Sequence, residues 1–211
     1  MADILIDTQG APTTPAASTG VIYIDSTNKE VTNTDESGKS KCLRTLTNTG
    51  STTTAGADIY IVGSGITVPP SLARVGAMFM WSLNMSKTAA CTSAPIYNIR
   101  VGTAGTTGDT ARLTFTSAQS QTAATDNAIL QIQCVVTTAG ASGIINGGYQ
   151  LGHKNSTTGF CATQMDAQGP TASAAFDLTV ASLIFGLSIN PGNTGANAVW
   201  TIQCYAQGLN L

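Results

Sequence analysis

Charge is what this sequence has least of. Lys, Arg, Asp and Glu together make up 9% of its 211 residues, against roughly 25% in an average soluble protein. Nine basic residues stand against eleven acidic ones. With no basic surplus to neutralise a phosphate backbone, nucleic acid is excluded as a partner. Aromatic residues are also few, at 6%, and are not interleaved with basic ones, which argues against single-strand binding as well. No apolar run approaches the roughly 18 residues of a membrane-spanning helix, so no membrane insertion is expected. Met1–Asp7 carries acid where a secretory signal needs Lys or Arg, so the chain is expected to be made in a cytoplasm and not exported by that route.

The inventory for chemistry is equally thin. His153 is the only histidine, and a Ser-His-Asp triad would have to use it, yet no GxSxG elbow supplies a serine. At the end of a strand pattern, it reads as a hydrogen-bonded structural or surface histidine. The five cysteines, Cys42, Cys91, Cys134, Cys161 and Cys204, are far apart, form no CxxC pair and lack zinc-ligand spacing. They read as free thiols in a reduced compartment. No glutamate follows Glu36, leaving Asp58, Asp109, Asp126, Asp166 and Asp177 as carboxylates of the main domain. Asp109 and Asp126 stand in Gly/Thr/Ala loops and read as turn formers; no DxDxDG calcium loop is present. Gly63-Ser64-Gly65 lacks the fuller glycine pattern and following helix of a phosphate loop, so it reads as a turn. Arg100 and Arg112 flank a turn and are expected on adjacent strands, paired with Asp109 or Asp126, or across a subunit boundary. No catalytic, cofactor-binding or metal-binding residues are expected, and no cofactor.

What the sequence does have is Thr, Ser, Asn, Gln and Gly, which suit strands and turns and are poor helix formers. Period-two alternation is clearest near the C-terminus. Phe185, Leu187 and Ile189 share one face, then Trp200, Ile202 and Cys204 share another, with Pro, Gly and Asn between. These two segments read as a strand pair in the core. Eight strand candidates follow residue 57: Asp58–Val62, Gly76–Met85, Ile96–Val101, Ala111–Thr116, Ala128–Thr137, Ile144–Gly152, Ala175–Ile189 and Val199–Gln207. In the second, Phe79, Trp81 and Leu83 oppose Met78 and Met80, which suggests a strand buried on both faces. In the fifth, Leu130, Ile132, Cys134 and Val136 share a face. Residues 57–211 are therefore expected to form an eight-stranded antiparallel β-sandwich, jelly-roll-like. His153–Ser173 is expected to be a large loop.

Residues 1–56 differ. A Pro/Thr/Ala/Ser-rich stretch at Gly10–Gly20 reads as an extended connector. Strands are expected at Gly20–Asp25, Glu30–Thr32 and Ser40–Leu46, a meander too small to bury a core alone. Asn48–Gly56 reads as a linker.

Gly20-Val21-Ile22-Tyr23-Ile24-Asp25, followed by Asp35-Glu36-Ser37-Gly38-Lys39, resembles the short β-repeat at the base of tailed-phage fibre and head-fibre proteins. Asp58–Ser64, Lys87–Ala90, Arg100–Thr103, Arg112–Phe115, Ala175–Val180 and Leu209–Leu211 are similar to a domain of tailed-phage structural proteins. The resemblance implies a capsid- or tail-associated virion protein, a homotrimer with no catalytic residues. Its partners would be copies of itself and the major capsid protein or other virion proteins. The expected role is a capsid decoration or cement protein, anchored by residues 1–56 with the sandwich outward. The alternative is a tail-fibre or tail-tip protein recognising a host surface glycan, with Trp200 and Tyr149 the tempting sugar-stacking residues, although both sit where core is expected.

Overall fold

The computed structural model describes residues 8–9, 21–25, 31–34, 40–42, 50–53, 56–68, 73–88, 92–180, 182–192 and 200–209. The chain divides into two compact units, Met1–Thr45 and Leu46–Leu211. In the first, β1 (Thr8–Gln9), β2 (Val21–Asp25), β3 (Val31–Thr34) and β4 (Ser40–Cys42) form one sheet in that order. β1 runs parallel to β2, and the other pairs are antiparallel. The expected meander is present in β2–β4; the connector, the turns and Leu43–Leu46 lie outside the described residues.

The second unit is an all-β sandwich of two antiparallel sheets. One sheet has the order β10-β9-β14-β6, with β7 also on β14. Its strands are β6 (Ile59–Tyr60), β7 (Ile66–Val68), β9 (Ile96–Gly102), β10 (Thr110–Thr116) and β14 (Leu183–Asn190). The other has the order β13-β12-β11-β8-β15-β5. It comprises β5 (Gly50–Thr53), β8 (Met78–Lys87), β11 (Asp126–Thr138), β12 (Ile144–His153), β13 (Met165–Ala172) and β15 (Trp200–Leu209).

Alternation decides which side chains meet. Phe79, Trp81, Leu83 and Met85 of β8 point inward with Leu130, Ile132, Cys134 and Val136 of β11 and Trp200, Ile202 and Cys204 of β15. Tyr97, Ile99 and Val101 of β9 and Phe185, Leu187 and Ile189 of β14 face them from the opposite sheet. The layers lock at Phe79 and Phe185, whose rings stack with centroids 3.9 Å apart and planes 5° from parallel. Trp200 meets Phe160 edge-on at 4.9 Å.

Five expectations are corrected. β14 and β15 do not pair with each other: β14 lies beside β9, and β15 between β8 and β5, in opposite sheets. Alternation marks a buried face but not a partner. All eight expected strands are represented, but three more extend the sheets. The Asn48–Gly56 linker contains β5, whose Gly50–Thr53 backbone pairs with Trp200–Gln203. The expected His153–Ser173 loop contains β13. Only Asp166 of its eight residues is buried, so no apolar alternation betrays it. Its Pro170, after a cis Gly169–Pro170 bond, is tolerated because β13 is an edge strand. Residues 175–180 are not part of β14; Phe176 makes only an isolated bridge to Gly143, and Phe176 and Leu178 pack a loop onto the core. Finally, β8 is buried on one face only, since Met80 and Asn84 of its other face are exposed.

Candidate functional site

The ionisable residues singled out by sequence fall into four places. The first joins the start of β11 to the end of β12. Antiparallel pairing brings Asp126 to one end of β11 and His153 to the facing end of β12, and both side chains are fully buried. His153 Nδ1 lies 2.5 Å from Asp126 Oδ2, and Nε2 lies 2.5 Å from the Thr163 carbonyl. Asp126 also accepts backbone N–H groups of Asn127, Asn155 and Phe160. Asp126 is thus a strand-end anchor and not the turn former its sequence setting suggests. Beside it, Lys87 is buried with its ammonium donating to Gln121 Oε1 and to the carbonyls of Thr122 and Gly159 at 2.7–3.2 Å. Three acceptors match its three N–H donors.

A His–Asp pair supplies two of the three members of a nucleophilic triad, but Nε2 here is occupied by a backbone carbonyl. Cys161 is the nearby thiol; it too donates to Thr163 O, at 2.7 Å, and burial pushes its pKa up, away from the reactive thiolate. Burial acts the same way on Cys134 and on Cys204, which is pushed up to about 12. Cys134, Cys161 and Cys204 are free and buried; Cys42 and Cys91 carry no described side chain. Among the described residues no three His, Cys, Asp or Glu side chains converge to hold a metal ion.

The second place is the outer face of the smaller sheet. Arg100 donates to Ser188 Oγ at 2.6 Å, to Asp58 at 2.5 Å and to the backbone carbonyl of Asp109. Its carboxylate partner is therefore Asp58, not Asp109 or Asp126. Asp109 instead closes its own loop, accepting N–H groups of Ala104, Gly105 and Thr106, the turn-forming role its setting predicts. Arg112 does sit on the adjacent strand, where a register shift between Ala111 and Leu113 turns its guanidinium over the Phe176 ring, 4.4 Å from the centroid. In the third place, Asp166 of β13 takes the Tyr149 and Ser117 hydroxyls at 2.7 and 2.6 Å. Burial and Asp166 together raise the Tyr149 phenol. Tyr149 and Trp200 are both core residues, so neither can stack on a sugar. The fourth is Asp177, an exposed carboxylate that Thr179 holds below its ordinary pKa through a side-chain and a backbone hydrogen bond.

One accessible feature was missed by sequence reasoning: the outer face of the six-stranded sheet. Register places Gln203, Asn84, Ile129, Gly152 and Met165 in one row across five strands. The next row is Tyr205, Ser82, Gln131, Gln150 and Ala167. A groove of about 970 Å³ follows the first row, takes in Gln131 and Gln150 of the second, and has Thr201, Ser86, Asn127 and Lys154 on its other side. Ile129 and Met165 are 52% and 54% exposed on either side of Gly152, and nothing lies within 4 Å of where a Gly152 Cβ would project. Lys154, at one end, is the only charged group on the groove that reaches solvent among the described residues. The signal was available in the polar half of the alternation, where Gln131, Gln133, Gln203 and Gln207 repeat at outward positions.

No family model matches the chain, and no curated protein does. Among solved structures it has weak similarity to the CBM2 module of the evolved Dit protein of Lactobacillus casei BL23 phage J-1. That match is 8% identical with a TM-score of 0.25, and it covers 70% of this chain and 69% of the other. Infectious bursal disease virus, Gx strain, is similar at 15% identity and a TM-score of 0.22, covering 85% of this chain and 44% of that one.

Proposed function

We propose that this protein is a non-catalytic structural component of a tailed-phage virion, decorating the capsid surface through residues 1–56 and presenting the sandwich outward. The observation that carries this reading is how the sandwich uses its few ionisable groups. His153, Asp126, Lys87, Arg100, Asp58, Asp109 and Asp166 all hold strands and loops together. The accessible groove on the larger sheet carries Lys154 as its single solvent-reaching charge among the described residues, which suits a durable particle component better than a turnover site. The resemblance of Gly20–Lys39 and Asp58–Leu211 to phage structural sequences supports the same reading. Self-association as a homotrimer belongs to it. The test is quantitative mass spectrometry of purified particles. Copy numbers on the scale of the major capsid protein are expected; absence from particles would overturn the proposal. A second reading, recognition of a host surface glycan, is favoured specifically by the amide-lined groove.

A further inference from the structure

We infer that the outer face of the six-stranded sheet binds an uncharged polysaccharide, laid across the strands along the Gln203–Met165 and Tyr205–Ala167 rows. The inference deepens the second reading above and stands whether or not the protein decorates a capsid.

Chemistry selects the ligand. The rows carry the side-chain amides of Asn84, Gln131, Gln150 and Gln203, each offering both donors and acceptors. Sugar hydroxyls also donate and accept, so a row of amides can satisfy them in either orientation. Between the amides lie small apolar surfaces, Ile129 and Met165 beside the Gly152 notch and the ring of Tyr205, 41% exposed. These suit the C–H faces of pyranose rings, an amphipathic match like that of aromatic side chains at wet interfaces. Five strands at roughly 4.8 Å spacing make each row about 19 Å long, the reach of an oligosaccharide rather than a single sugar.

Other occupants fit less well. A phosphate-bearing or acidic polymer needs cations, and Lys154 stands alone at one end of the groove among its described lining. A second copy of this chain would need an apolar interface core. Here the exposed apolar residues are separated by amides, each of which would need a partner once buried.

The test is affinity electrophoresis of the full chain through gels containing soluble neutral polymers, namely dextran, a galactomannan and hydroxyethylcellulose, with polygalacturonate as the charged control. Retardation by at least one neutral polymer and not by polygalacturonate is expected. The double variant Gln131→Ala/Gln203→Ala should weaken it about tenfold or more, since each lost hydrogen bond is worth a several-fold change. Gly152→Arg fills the notch without a backbone clash and should weaken binding as strongly. Thermal unfolding of these outward-facing variants should match the parent, separating lost binding from lost fold. Failure of all three neutral polymers to retard the chain, or retardation that the variants leave unchanged, would overturn the inference. So would concentration-dependent self-association, by sedimentation, that the same variants abolish, since it would assign the face to a second copy. None of these outcomes alters the particle copy number, so this inference and the capsid assignment fail separately.

Discussion

His153 and Asp126 face each other with no solvent contact, and the second ring nitrogen of His153 points at the Thr163 carbonyl. Both ring nitrogens therefore lie against acceptors, the Asp126 carboxylate on one side and the Thr163 carbonyl on the other. The pair ties the β11–β12 ends to the 159–163 segment, through Phe160 N–H to the same carboxylate. Removing either partner breaks this buried hydrogen-bonded junction. His153→Ala and Asp126→Ala should each lower the unfolding free energy by about 3–5 kcal/mol. The double variant should cost clearly less than the sum. Urea titration of the three variants measures this, and additive single effects would show that the two groups act independently.

Gly186 and Tyr60 make a second coupled pair. A Cβ at Gly186 would project into the Tyr60 hydroxyl and the ring carbon that bears it, so the phenol end of the tyrosine sits over the glycine on β14. Gly186→Ala should destabilise the sandwich by about 1–3 kcal/mol through overpacking. In a Tyr60→Ala background the same change should cost much less, because the obstructing ring is gone. Thermal melts of the four-member cycle give the coupling directly.

The Phe79–Phe185 stack joins the two sheets, with ring centroids 3.9 Å apart. Phe185→Ala should cost about 3–5 kcal/mol, the range for losing a buried aromatic and leaving a cavity. A value under about 1 kcal/mol, measured by denaturant unfolding, would mean the layers collapse around the gap.

Eight strands could be placed from apolar alternation because the core faces of β8, β11, β14 and β15 are strictly periodic. The strands that escaped notice share a different property. β13 buries an aspartate and almost nothing else, and its stability comes from the ladder with β12 and the Asp166 hydrogen bonds to Tyr149 and Ser117. β5 is built of Gly, Ser and Thr, a composition shared with linkers. Which strands are neighbours was illegible for β14 and β15, since one buried face looks the same whichever sheet carries it. Asp58 as the partner of Arg100 was illegible too, because β14 stands between β6 and β9 and its Ser188 bridges the two side chains. The amide rows could be read in part from the outward glutamines, but their alignment into a groove required the register.

Alkaline pH should unfold the protein through its buried thiols. Burial raises the pKa of Cys134, Cys161 and Cys204 above the ordinary 9.0, that of Cys204 to about 12. Above pH 9 the unfolded chain releases these protons while the folded chain keeps them, so stability present below pH 9 is lost as pH rises toward 12. Each thiol contributes at most about 1.4 kcal/mol per pH unit over that window. Melting temperatures followed from pH 8 to pH 10.5 should fall, and Cys204→Ala should flatten the slope. An unchanged slope would mean that the thiol does not titrate in unfolding.

The central strand β8 lies between β11 and β15, pairing residues 78–87 with 126–135 on one side and with 200–209 on the other. The second partnership closes a loop of more than a hundred residues, which raises the entropic threshold for forming it. The β11–β12 hairpin pairs residues close in sequence, whereas β15 must be recruited from far along the chain, the kind of distant pairing that slows folding in general. Until that strand arrives, β8 presents an open backbone edge, the kind of edge that a second chain can pair with before the sheet is complete.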